Sequence, residues 1–184
     1  MNLENFFNEV VKKSMYRDIS VNIMNGLPNT CIISLFAYSE VLGAMGRIIK
    51  GEKEDLVFSA GQSNKNFQSY LSYAGKTYFD LNAKEAYRII RGGIIHRYFI
   101  GRSAIIVINP EDPMGNKDYN VGCPIKITEE TVYFNVNQYF RDMKMTVNRM
   151  KRKLKKERKE EVEIVRSSKR TRLIFANIEN SMSY

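Results

Sequence analysis

"PIKITEETVYFNVNQYFRDMKMTVNRM", residues 124–150, changes its period halfway along. "PIKI" and "TVYFNV" alternate in the way of half-buried strands, and the polar "TEE" between them reads as a turn, so residues 124–136 form a hairpin. From Gln138 onward the apolar residues Phe140, Met143, Val147, Met150 and Leu154 recur every three or four positions, the spacing of one helical face. Asn137 stands where such a helix needs a capping side chain. Strand therefore gives way to a long helix over about 138–163. With "SAIIVIN" at 103–109 as a further short strand, a small antiparallel β insertion is expected at about 103–136.

Upstream the spacing is helical throughout. Phe6, Phe7, Val10, Val11, Met15, Ile19 and Ile23 mark a first helix over about 3–24, which "NGLPN" ends. A strongly apolar second helix runs from Thr30 to about Lys50 and stops at Gly51; it carries one acid, Glu40. "SNKNFQSYLSYAGKTYF" gives a third, with Phe67, Tyr70, Leu71 and Ala74 on one face. "DLNAKEAYRIIRGGIIHRYF" gives a fourth, with Asn82 as N-cap and Glu85 three residues on, as in a capping box. The expected fold is mostly α: a bundle of four to five helices, a small antiparallel β insertion, and a long C-terminal basic helix. Residues 1–165 make one domain and 166–184 a tail.

The chain has 184 residues and a net charge of +9. From Arg141 to Arg172 there are 14 Lys and Arg against 5 Asp and Glu, leaving 15 of each sign elsewhere. The body is neutral and the C-terminal segment from Arg141 to Arg172 carries the excess. Such a concentration favours a polyanion, and Arg149, Lys151, Arg152, Lys153, Lys155 and Lys156 are the candidate nucleic-acid-binding residues. The other reading is a solvated helix end whose cations pair with Glu160, Glu161 and Glu163. Aromatics are not interleaved with the cations, so base stacking is not indicated. The two cysteines, Cys31 and Cys123, fit no metal spacing and suggest a reducing, cytoplasmic setting. The first residues lack the pattern of a signal peptide. No uninterrupted run of about 18 apolar residues occurs, so no membrane span is expected.

His96 is the one histidine of the chain. A zinc site built mainly from histidine is thereby excluded within one chain, and G-x-S-x-G and G-x4-G-K-[ST] are missing. His96 lies five residues after Arg91, with Gly92 and Gly93 between them and Tyr98 two residues beyond. An imidazole titrates near neutrality and can move the proton of a ribose 2′-hydroxyl. A guanidinium can stabilise the charge that builds on the attacked phosphate. This pair suits RNA cleavage without metal or other cofactor. Five residues along an α-helix leave Arg91 and His96 on different faces. Either Arg91 swings round or the helix loosens near the glycine pair, which would also let a backbone or phosphate approach.

Arg91-x4-His96-x-Tyr98 resembles the motif of HEPN domains (higher eukaryotes and prokaryotes nucleotide-binding), in particular the toxins of HEPN–MNT toxin–antitoxin pairs. "RGGIIHRY" approaches the R-x-G-L-x-H-x-Y segment of HEPN-like proteins; Arg17-Asp18 and Glu40-Val41-Leu42-Gly43 match two further elements. The resemblance covers about residues 1–100. It implies a HEPN-like bundle and a homodimer in which Arg91 and His96 of two protomers meet. It also implies metal-independent RNA cleavage to 2′,3′-cyclic phosphate and 5′-hydroxyl ends, an acid from the second helix (Glu40) in support, and a nucleotidyltransferase-type antitoxin as a possible protein partner. Gly92 stands where the family usually has a polar residue.

Each residue also has a plainer reading. His96 packs within the helix, Arg91 pairs with Glu40 or Glu85, and Glu40 pairs with Arg17 or Arg91. Tyr98 fills a core or an interface, and Gly92-Gly93 serves close packing. On those readings the chain is a catalytically silent module that binds RNA, a nucleotide or a protein.

Overall fold

The computed structural model describes residues 2–91, 93, 103–117 and 122–156. The chain begins with one rod whose winding changes: α1 (Leu3–Asn5), wider π-type turns over Phe6–Met15, then α2 (Tyr16–Met24). Its apolar stripe is buried as the spacing requires, with Phe6, Phe7, Val11, Ile19 and Ile23 fully covered. Helix α3 (Pro28–Ile49) starts with proline at its first position, where a missing N–H costs nothing. It is long and apolar enough to cross a membrane by length and composition, but 61 % of its most apolar window is buried inside the protein.

After the short α4 (Glu54–Val57), helix α5 (Ser63–Ala74) packs along α3 more extensively than any other helix pair does. The approach is close at Gly43, where a Cβ would lie 1.7 Å from the Asn66 carbonyl oxygen. Only glycine lets the two backbones meet there. Phe67, Tyr70, Leu71 and Ala74 are buried on the face that their spacing marks. A single tight turn, Lys76–Tyr78, leads to α6 (Ala83–Ala86), whose first turn is capped by Asn82: its Oδ1 accepts the Glu85 N–H at 3.1 Å. The helix then continues in π-type turns over Tyr87–Arg91. This wider winding stands before the glycine pair.

The sheet is mixed rather than antiparallel. Its order is β1 (Ser103–Val107), β3 (Thr131–Asn135), β2 (Ile125–Ile127), with β3 in the middle. The expected hairpin is present: β2 and β3 run antiparallel, and the Thr128 hydroxyl accepts the Thr131 N–H at 2.9 Å to close the turn. On the other side β1 runs parallel to β3, pairing Ser103 with Thr131 through Val107 with Asn135. A parallel pair needs a long crossover, and the loop after β1 together with β2 supplies it.

Helix α7 (Val136–Lys156) follows β3 without a break. Its cap is Asn135, whose Oδ1 accepts the Gln138 N–H at 3.0 Å, not Asn137. Asn137 instead pins the loop after β1. It accepts the Asn109 N–H and donates to the carbonyls of Asn109 and Asp112. The helix end reached by the expected range 138–163 lies outside the described residues. Phe140, Met143, Val147, Met150 and Leu154 are all buried. They close a core in which Phe36 stacks on both Phe67 and Tyr139. Within it Ser39 Oγ and Tyr139 OH share a 2.9 Å hydrogen bond, and Tyr78 OH donates to Asp142 Oδ2 at 2.8 Å.

Candidate functional site

Arg91 and Glu40, 51 residues apart in sequence, meet where the turns after α6 cross the middle of α3. Arg91 Nε donates to Glu40 Oε1 at 3.0 Å, and Tyr87 OH donates to the same oxygen at 2.8 Å. The guanidinium carbon also lies 5.5 Å from the centre of the Tyr87 ring, a cation–π distance. Burial, with the Glu40 carboxylate beside it, pushes the Tyr87 hydroxyl up to about 12, so this phenol stays a donor at neutral pH. The side chain of Glu40 is 15 % exposed and that of Arg91 33 % exposed. The acid is thus largely withdrawn while the guanidinium keeps an open side. Neither Arg17 nor Glu85 supplies the counter-charge that the sequence allowed them to supply.

Arg91 and Tyr87 line a cavity of about 340 Å³ together with Asn64, Lys84 and Arg88. No carboxylate is among the lining residues. The sequence reading passed over Asn64, Tyr87, Lys84 and Arg88. "KEAYRIIR" does hold a signal for two of them, since Lys84, Arg88 and Arg91 fall four and then three residues apart, on one helical face.

Two other motif residues have structural work. Asp18 Oδ2 accepts the Tyr38 hydroxyl at 2.6 Å and ties the first rod to α3. Gly43 permits the contact with α5 described above. Gly93 is half-buried in the π-type winding. His96, Tyr98 and Gly92 lie outside the described residues.

The six candidate cations of α7 divide into two groups. Arg149 Nη1 donates to the carbonyls of Tyr73 and Ala74, at 3.2 and 2.6 Å, and so caps the C-terminal end of α5. Lys151 donates to Asn8 Oδ1 at 2.8 Å, and Lys153 lies 5.6 Å from the centre of the Tyr73 ring. Burial, and then the nearby Lys12 charge, lowers the Lys151 pKa. These three hold the helix to the body. Arg152, Lys155 and Lys156 are exposed and are the ones open to a polyanion.

A second cavity, of about 610 Å³, lies between the turn before α6 and strand β2. Charges of both signs line it, Lys76 and Lys126 with Asp80 and Glu85. Burial raises the pKa of Cys123 at its wall. Among the described residues no three His, Cys, Asp or Glu side chains are grouped to hold a metal ion. No protein-family model matches the chain, nor does any curated protein or solved structure.

Proposed function

We propose that this chain is a metal-independent endoribonuclease of the HEPN type, acting as a homodimer in the manner of a toxin or defence effector. The observation that carries the reading is the state of Arg91. It is anchored at Nε by a withdrawn carboxylate, and among the described residues its outer nitrogens have no hydrogen-bond partner. A guanidinium held in that way, on the wall of a cavity lined by two more cations, is prepared for a phosphate.

In the proposed reaction the 2′-oxygen bonds to the adjacent phosphorus as the bond to the 5′-oxygen breaks. His96 takes the 2′-hydroxyl proton and the departing 5′-oxygen gains one. With one imidazole per chain, the acid and the base come from two protomers. Arg91 stabilises the extra charge on the phosphorus oxygens. Cleavage of mixed RNAs should proceed in EDTA and leave cyclic phosphate ends. It should stop when the 2′-hydroxyl is replaced by hydrogen. His96→Ala should lose about 10²–10⁴ in rate while staying folded. Full activity in a folded His96→Ala protein would refute the reading.

One observation favours a second reading, a catalytically silent module that binds RNA or nucleotide. Arg91 already has a carboxylate partner and a ring partner, the arrangement of a structural ion pair. Wild-type protein that binds RNA but leaves it intact would select that reading.

A further inference from the structure

The helix leading to Arg91 carries two cations beyond those that a single phosphate requires. Lys84, Arg88 and Arg91 stand at i, i+4 and i+7 and line one cavity with Asn64 and Tyr87. Among the described residues only Arg91 has an acid for partner. Lys84 and Arg88 are exposed and make no hydrogen bond or ion pair among the described residues. Glu85, their nearest acid in sequence, lines the other cavity. Two exposed cations without an acid, beside a third whose outer nitrogens face the same cavity, make a surface that favours an anion.

We propose that Lys84 and Arg88 form a track for the sugar–phosphate backbone of a single strand, holding the phosphates next to the one at Arg91. The proposal rests on the ribonuclease reading only for the identity of the strand as RNA. Lys84 to Arg91 spans roughly 8–10 Å along the helix axis, a distance suited to successive phosphates and not to one. The cavity is open to solvent, so a strand can lie along it. Asn64 adds an amide that can donate to a phosphate oxygen. Tyr87 is not available for stacking a base, because Arg91 covers its ring and Glu40 holds its hydroxyl. The track therefore positions the strand without reading its sequence. It is also distinct from the exposed cations of α7, which lie on another element.

The test uses the full-length protein and a fluorescent oligodeoxyuridylate, which binds through phosphates but lacks the attacking hydroxyl. Affinity is measured across a salt series for wild type and for the Lys84→Ala/Arg88→Ala double variant. Both side chains are exposed, so the variant should melt like wild type. Its affinity at low salt should fall on the order of tenfold, and the slope of log affinity against log salt should fall by about 1.4, or 0.7 for each lost cation. Inorganic phosphate should displace the oligonucleotide no better than chloride at equal ionic strength. An unchanged slope overturns the track. So does displacement by phosphate from the wild type alone, which would make the cavity a free-anion site. Cleavage of an oligoribonucleotide is scored separately. Wild type that binds with the expected slope and never cleaves sinks the nuclease reading and leaves the track. Wild type that cleaves, beside a double variant with unchanged slope, does the reverse.

Discussion

Glu40 is asked for two things that oppose each other. It holds Arg91 and Tyr87 in place, and it sets a negative charge beside the proposed phosphate position. Glu40→Gln keeps an acceptor for the Tyr87 hydroxyl but removes the charge. Because the Arg91 side chain is a third exposed, solvent screens the pair, and the stability lost should be about 1 kcal/mol, measured by urea unfolding. Affinity for an uncleavable oligonucleotide should rise several-fold in the same variant. A fall in both would mean that Glu40 serves only to hold Arg91 in shape. Asp142 is a different case, a carboxylate in the core beside Tyr78. Burial raises its pKa, and the Tyr78 hydroxyl and the charges of Arg141 and Arg149 only partly oppose this. A carboxyl whose folded pKa exceeds the unfolded one (about 3.9) opposes folding once it is ionised. The penalty is missing below the unfolded pKa, grows as pH rises through the folded pKa, and is full above it. Asp142→Asn keeps an acceptor for Tyr78 and removes that penalty. It should melt higher than wild type near neutral pH, with the gap closing on acidification. A lower melting temperature near neutrality would mean that the two arginines outweigh burial.

At the scale of the element, α7 is two helices in one. Its inner face completes the core, and three of its cations work inward as well. Cutting the chain after Asn148 would remove Met150 and Leu154 from the core together with the charge, so the charge must be tested by substitution. Replacing Arg152, Lys155 and Lys156 with Gln should change stability by no more than about 0.5 kcal/mol. It should lower the salt slope of oligonucleotide binding by about 2 if all three meet phosphates. Arg149→Ala should do the opposite. It strips the cation from the end of α5, where the last carbonyls carry partial negative charge, and should cost about 1–2 kcal/mol with no change in slope. Equal effects of the two variants on binding would erase the division.

At the scale of the molecule the matter is assembly. With one histidine per chain, the proposed two-proton reaction needs an imidazole from a second protomer. Strand β1 is an edge that shows Ile105 and Val107 to solvent, 53 % and 38 % exposed. Light scattering at micromolar concentration should report about twice 21.4 kDa. A monomer that still cleaves RNA would remove the two-protomer site.

Among the described residues the main helices, the hairpin and most of the core could be read from the amino-acid order alone. The period of the apolar residues records which side of an element is covered: Phe6 to Ile23, Phe67 to Ala74 and Phe140 to Leu154 are buried where it says. The Asn82 cap was legible for the same reason, since its partner lies three residues away. What the period does not record is the identity of the covering partner. The parallel course of β1 and β3, the choice of Glu40 over Glu85 for Arg91, and the inward turn of Arg149 all depend on segments far apart in sequence. The exchange of roles between Asn135 and Asn137 follows likewise, because the loop at 109–112 claims the second asparagine. Tertiary packing decides these, since a local pattern carries the burial of a side chain but neither the direction nor the charge of what arrives to bury it.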